Sequence, residues 1–326
     1  MSAPVLAIRD LSVAYRSRRG HLRALRHVDL EVAANRIVGI VGESGCGKST
    51  LITAILGLLP PNAEVLSGEI GFEGHNLLAA TPAQLRAVRG PRIATIFQDP
   101  MTALNPVLPI ATQMIDIQYR SGENTTAKRA RAVAMLGRVG IPDAAQRIDD
   151  YAHRFSGGMR QRIAIGMALL MRPALLIADE PTTALDVTLE AQIVHLLKTL
   201  RREIDGSILF VSHNLGLIAE LCDEVVVMYA GEVVERATVR ALFHAPQHPY
   251  TRLLLACDPA RVAEGTHPLP TIPGGLPDLA DLPPGCVFRA RCPDAGADCA
   301  TPPPLRQVGD NHVARCVIPT RIYVSP

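Results

Sequence analysis

The sequence predicts an α/β protein: a mostly parallel sheet covered on both faces, a helical subdomain at about residues 100–160, an N-terminal antiparallel β part and an irregular, cysteine-containing C-terminal appendage. Three observations predict this. β-branched apolar runs of buried-strand length alternate with segments of helical length, the pattern of strands joined by crossover helices. Strand signals vanish between residues 102 and 151, where Ala130, Val133, Ala134 and Leu136 recur at helical spacing. Past Pro246 the composition shifts, with 15 of the 26 prolines in the last 81 residues.

With 326 residues, 48% of them hydrophobic, the chain can bury a sizeable core. We expect one large domain, residues 1–245, followed by the appendage, residues 246–326. A net charge of +2 speaks against a globally basic nucleic-acid binder. Residues 1–10 lack a basic segment followed by an apolar core, and no uninterrupted apolar run reaches the length of a membrane span, so a cytosolic protein is expected. There thiols stay reduced, and clustered cysteines favour a metal or cluster site over disulfides.

Taken in order, residues 5–15, VLAIRDLSVAY, alternate in strand fashion, and residues 16–27, RSRRGHLRALRH, read as a solvated loop. Residues 36–42, RIVGIVG, suit a buried strand, and a glycine-rich turn leads into the helix-length segment KSTLITAILGLL. Further strands are expected at residues 92–97, 174–179 and 207–212, and helices at residues 127–139 and 188–204.

The glycine-rich turn is the first chemical signal. Residues 42–50, GESGCGKST, match G-x-x-x-x-G-K-[ST] after a strand and before a helix. Gly42, Gly45 and Gly47 let the backbone N–H groups of this loop, with Glu43, Ser44 and Cys46, turn inward as an anion nest, and the helix N-terminus adds positive charge. Cys46 is expected to contribute its backbone rather than thiol chemistry. Lys48 would reach the terminal phosphates, Ser49 would ligate Mg²⁺, and Thr50 closes the motif.

Residues 175–186, LLIADEPTTALD, bring two carboxylates to the C-terminal end of a strand, where doubly wound sheets place ligands. Asp179 can hold Mg²⁺ through its water shell, and Glu180 can polarise the attacking water, a pairing suited to hydrolysis. In residues 155–161, FSGGMRQ, Ser156, Gly157 and Gly158 open an apolar helix and would form a second phosphate-binding N-terminus. One γ-phosphate is not easily held by two such loops of one monomer. A head-to-tail dimer follows, with each nucleotide between the phosphate loop of one subunit and the serine-glycine helix of the other.

GESGCGKST, FSGGMRQ, LLIADEP and TALD, in that order, resemble the Walker A, signature, Walker B and D-loop elements of the ATP-binding cassette (ABC) superfamily. The resemblance implies an ABC-type P-loop ATPase core binding ATP and Mg²⁺. It further implies that Tyr15 stacks on adenine, that Gln98 of IFQDP touches Mg²⁺ and the lytic water and senses the membrane partner, and that His213 of VSHN contacts the γ-phosphate. IFQDPMTALNP, HPYTRLLLA, PGGLPDL and the Cys286 cluster are similar to the ATPase subunits of bacterial oligopeptide and dipeptide importers. That likeness implies ATP-driven import of peptides or related small solutes. Its partners would be a second ABC ATPase subunit, by analogy a paralogue, two transmembrane permease subunits and an extracytoplasmic solute-binding protein, at the cytoplasmic face of the inner membrane. Two departures stand out: Asn35-Arg36 replaces the usual Gly-Glu turn, and Asn214 follows the switch histidine where Asp is commoner.

Cys286, Cys292, Cys299 and Cys316 are spaced C-x5-C-x6-C-x16-C, matching neither common zinc modules nor ferredoxins, so spacing leaves zinc, an iron–sulfur cluster and plain thiols open. The proline-rich stretch from Asp281 has few large apolar residues, so a cross-link is expected to order it. The importer resemblance implies a [4Fe-4S] cluster with a structural role, with Zn²⁺ as the lesser alternative. Cys222 and Cys257 read as small core hydrophobes. The rival function is a soluble ABC-type ATPase of DNA repair or chromosome maintenance. It would need a long coiled-coil or zinc insertion between the phosphate loop and the signature, and a basic face, whereas only 108 positions separate Lys48 from Ser156.

Overall fold

The computed structural model describes residues 3–18, 20–99, 103–182, 187–201, 206–262, 265 and 267–317. Its strands and helices begin with β1 (Leu6–Ser17), β2 (Gly20–Val32), β3 (Ile37–Val41), α1 (Lys48–Ile55), β4 (Ala63–Phe72), β5 (His75–Asn76), α2 (Pro82–Val88) and β6 (Ile93–Ile96). Next come α3 (Ile110–Asp116), α4 (Thr125–Arg138), α5 (Ala144–Arg147), α6 (Gly157–Leu170), β7 (Leu175–Asp179), α7 (Val187–Arg201) and β8 (Ser207–Val211). The chain ends with α8 (Leu215–Leu221), β9 (Glu224–Tyr229), β10 (Glu232–Thr238), α9 (Val239–His244), α10 (Pro249–Ala256), β11 (Arg306–Gly309) and β12 (His312–Ala314). Two compact units are formed: the first from residues 1–5, 32–36 and 79–211, the second from residues 6–31, 37–78 and 212–326.

In the first unit, β6, β7 and β8 run parallel in the order β8-β7-β6. Residues 175–178 and 208–211 are essentially inaccessible, as continuous apolar runs must be when helices cover both faces of a parallel sheet. The helical subdomain is present as α3, α4 and α5. Asn124 starts α4 by accepting a hydrogen bond from the Ala127 N–H at 2.9 Å. Helix α4 meets α6 at Gly166, where a Cβ would stand 3.3 Å from Met135 and 3.4 Å from Val139, so a small residue there sets the spacing. Asn35, at the departure from the usual Gly-Glu turn, has φ +57°, a conformation that asparagine tolerates better than most residues.

The second unit carries the antiparallel β part as a four-stranded sheet in the order β2-β1-β4-β5. Residues 16–27, expected as a solvated loop, instead end β1 and open β2: Ala24 and Leu25 are buried at 4% and 0%, Arg16 and Arg23 are exposed, and Arg26 is tucked against Glu232 at 3.1 Å. A second ladder runs β11-β12-β10-β9-β3, with β3 and β9 parallel and the rest antiparallel.

The C-terminal region is less irregular than its prolines suggest. It contributes α10 and the β11–β12 hairpin, which adds to the edge of β10. Buried Glu235 organises this return: it accepts from His312 Nε2 at 2.7 Å and from the N–H groups of Gln247 and His248 at 2.6 and 2.9 Å. His248 in turn caps α10, its Nδ1 accepting from the Tyr250 N–H at 3.1 Å. Burial lowers the His248 pKa to about 4 and keeps the ring neutral. The expectation that the tail cannot order itself by burial is also corrected. Phe288 is 1% exposed and packs on Tyr229 and Tyr250 with ring centroids 5.1 and 5.3 Å apart, a small aromatic core that single-residue counts understate.

Candidate functional site

The phosphate loop lies in the second unit, between β3 and α1. Gly42 passes so close to β9 that a Cβ would sit 2.2 Å from the Met228 carbonyl oxygen, and Gly47, at φ +110°, would set one 2.7 Å from that of Ala24. Helix α1 begins at Gly47 with neither a side-chain cap nor an acidic residue in its first turn, leaving its N–H groups for an anion. Lys48 is 8% exposed and donates to the carbonyls of Gly42 and Glu43 at 2.7 and 3.2 Å. Ser44, Gly45 and Ser49 are exposed, while Cys46 is fully buried and burial pushes its thiol pKa up. The Cys46 N–H is directed to the Glu43 carbonyl at 3.2 Å, inside the loop.

Tyr15 approaches the loop from β1, its hydroxyl 3.1 Å from that of Thr50. His213 is exposed just past β8. Asn214 starts α8, its side-chain oxygen accepting from the N–H groups of Gly216 and Leu217 at 3.0 and 3.3 Å. The asparagine therefore does the capping that an aspartate would do, and the segment beside His213 is regular.

In the first unit, the register Ile96↔Ala178 between parallel β6 and β7 carries Gln98 and Glu180, two residues further along each strand, to one edge. Gln98 Nε2 donates to Glu180 Oε2 at 3.3 Å. Asp179 and Glu180 are half-buried, and Glu180 adopts φ +45°, rare for a residue with a side chain. Its N–H is fixed to the Val211 carbonyl at 2.9 Å. Ser156 caps α6 by accepting from the Met159 N–H at 3.3 Å. Gly157 is exposed, and a Cβ at Gly158 would lie 2.8 Å from Leu189. The D-loop expectation, residues 183–186, and residues 100–102 of IFQDPMTALNP lie outside the described residues. A cavity of about 870 Å³ lined by Gln118, Arg120 and Arg172 contains none of the candidate residues.

None of the seven cysteines is disulfide-bonded. Cys222 and Cys257 are half-buried rather than core residues. The Cys286 N–H donates to the Cys299 carbonyl at 2.9 Å. Burial raises the pKa of Cys286, as do the neighbouring Cys299 and Cys316 charges; burial lifts Cys292 to about 11, with Cys286 and Cys299 adding to it. Thiolates are the donor type that zinc and iron–sulfur groups take, so the residue types alone would suit such a group. Among the described residues no three His, Cys, Asp or Glu side chains are gathered to hold a metal ion, so the arrangement lends no support to zinc or to a cluster at these cysteines.

Sequence reasoning missed Arg291 and Tyr250. Arg291 grips both carboxylate oxygens of the loop residue Glu43 at 2.8 and 3.0 Å, and the Tyr250 hydroxyl accepts from the Glu43 N–H at 3.0 Å. Neither carried a local signal: Arg291 is one of two arginines between Cys286 and Cys292.

The profile of the family described as "ABC transporter" matches residues 25–183, and that described as "Oligopeptide/dipeptide transporter, C-terminal region" matches residues 234–299. The chain is 44% identical to the dipeptide transport ATP-binding protein DppD of Bacillus subtilis, over 96% of this chain and 94% of that protein. It is 45% identical to the probable D,D-dipeptide transport ATP-binding protein DdpD of Escherichia coli, over 97% and 96%. Among solved structures, the dimeric post-hydrolysis state of the ATP-binding cassette MJ0796 bound to ADP and Pi is similar with a TM-score of 0.64 and 26% identity, over 72% of this chain and 99% of that one.

Proposed function

This chain belongs to the ABC transporter family of ATP-binding proteins, and we propose that it is the ATP-hydrolysing subunit powering an importer of di- or oligopeptides or related small solutes. One observation carries the nucleotide assignment. Among the described residues Lys48 is a buried cation whose partners are two carbonyls and a sulfur, with no carboxylate among them. A buried charge without a counter-ion is costly, and the phosphates of ATP would supply one.

In the proposed mechanism, residues 42–50 hold the phosphates, with Lys48 against the terminal ones, while Tyr15 stacks on adenine. Ser49, Gln98 and Asp179, all oxygen donors, suit Mg²⁺, which when bound supplies charge neutralisation of the phosphate oxygens. Glu180, oriented by its fixed N–H and by Gln98, polarises the attacking water, and His213 contacts the γ-phosphate. The positions of a partner cassette equivalent to Ser156, Gly157 and Gly158 would cover the nucleotide from the opposite side in a head-to-tail dimer. The first turn of α6, which carries no acidic residue, and the dimeric state of the similar cassette support that arrangement.

We further propose that Cys286, Cys292, Cys299 and Cys316 hold a structural [4Fe-4S] cluster, which when bound would cross-link residues 286–316. No helix of the described residues is long and apolar enough to cross a membrane, so transport would require permease subunits. Phe97 and Val107, 49% and 75% exposed on either side of Gln98 and ahead of α3, are apolar enough to meet them. The chain would then sit at the cytoplasmic face of the membrane, paired with a paralogous cassette and fed by an external solute-binding protein. We retain residues 1–245 as the ATPase domain and 246–326 as the C-terminal region. The DNA-repair alternative is not favoured, since the relatives spanning nearly the whole chain are named for peptide transport. The test is ATP hydrolysis with the permease subunits or with duplex DNA added: stimulation by permeases is expected, and stimulation by DNA alone would overturn the reading.

A further inference from the structure

The phosphate loop carries its own anion. Glu43 is the first residue after Gly42, its carbonyl accepts from Lys48, and a carboxylate there could pair with Lys48 or repel the incoming phosphates. Instead, that carboxylate is held by the C-terminal region. Arg291, 6% exposed, meets both carboxylate oxygens at 2.8 and 3.0 Å. Arg291 is itself fixed: Nε donates to the Pro273 carbonyl at 2.7 Å, one terminal nitrogen to that of Ile272 at 3.4 Å, and the other to the Tyr229 hydroxyl at 3.3 Å. Gly274, at φ +72°, would bring a Cβ within 3.4 Å of the Arg291 Cγ, so the PGGLPDL stretch, a turn without an assigned task, forms the seat of the guanidinium. Tyr250 of α10 completes the grip by accepting from the Glu43 N–H at 3.0 Å.

We propose that Arg291 is a positioning residue for ATP binding: it sequesters the Glu43 carboxylate so that Lys48 keeps its charge for the nucleotide phosphates. The C-terminal region thereby sets the electrostatics of a loop more than two hundred residues away in sequence. A two-pronged arginine fork in a partly desolvated setting suits this task, since it neutralises both oxygens and fixes their direction at once. The proposal rests on reading residues 42–50 as the phosphate loop.

The experiment measures the MgATP dissociation constant and the kcat of the full chain in its assembled transporter. Arg291→Gln is expected to weaken ATP binding about tenfold while kcat at saturating ATP stays within about twofold. Adding Glu43→Gln to it should return affinity to within about threefold of wild type, because removing the carboxylate removes what Arg291 restrains; a packing role would show no such rescue. Wild-type affinity in folded R291Q, or no rescue in the double variant, would overturn the proposal. Should R291Q fail to fold, Glu43→Asp, too short to reach both prongs, is expected to raise the dissociation constant several-fold, and unchanged affinity there would equally overturn it. Lys48→Ala separates the two levels: normal ATP binding by that variant sinks the phosphate-loop reading, whereas lost binding beside an unaffected R291Q sinks the Arg291 assignment alone.

Discussion

The phosphate loop and the carboxylate edge carry the two halves of the proposed chemistry, and they are built differently. Around residues 42–50, Cys46 is inaccessible, Lys48 nearly so, and backbone crowds Gly42 and Gly47. At the edge of the first unit, Gln98, Ser156 and Gly157 are exposed, and Gln98 meets Glu180 through a hydrogen bond of 3.3 Å. Groups that bind a ligand gain from being set before it arrives, whereas groups that must act only once a nucleotide and a second cassette are present can be left open. Damage to the phosphate loop should therefore appear largely as lost affinity, and damage to the Gln98–Glu180 pair as lost turnover.

The sharpest break of that contrast would come from Glu180. Glu180→Gln is expected to retain ATP binding and lower kcat by about 10²–10⁴, the size of a general-base contribution; undiminished hydrolysis would remove Glu180 from its role. Phe288→Ala should lower stability by about 3–5 kcal/mol, read in denaturant melts, because it removes the ring packed against both Tyr229 and Tyr250. His248 provides a pH test of about 3 kcal/mol. Its pKa is about 4 when folded against an ordinary 6.5, so the unfolded chain takes up the proton first, and stability present above pH 6.5 is lost as pH falls towards 4. Melting temperatures followed through that window should drop more steeply for the wild type than for His248→Asn. Smallest, Ser156→Ala should cost about 1 kcal/mol of helix stability by removing the cap of α6, and should weaken ATP-dependent dimerisation measured by light scattering.

The parts legible in the sequence were those governed by short-range period and spacing. The buried runs of β3, β6, β7 and β8 and the helix α4 declare themselves through β-branched stretches or a 3.6-residue repeat, and the loop at residues 42–50 through its glycines. What stayed hidden depends on distant pairing. Residues 16–27 looked solvated because their arginines outnumber their apolar residues, yet Ala24 and Leu25, on opposite faces of β2, are both buried. The hairpin at residues 306–314 is short and polar, and only its partner β10 and the Glu235–His312 contact give it a place. Arg291 offered no local signal, because its partner lies at position 43.

Neither unit is a continuous stretch: the residues between β5 and β8 belong to one, and the strands before and after them close the other. On the ribosome, β1 to β5 and the phosphate loop therefore emerge long before β9 and β10 exist to receive them. At about 5–20 residues per second, residues 79–211 take on the order of ten seconds to make. Through that interval the apolar faces of the nascent strands await their complement, a period in which trigger-type chaperones would find a substrate and a premature stop codon would release an aggregation-prone fragment.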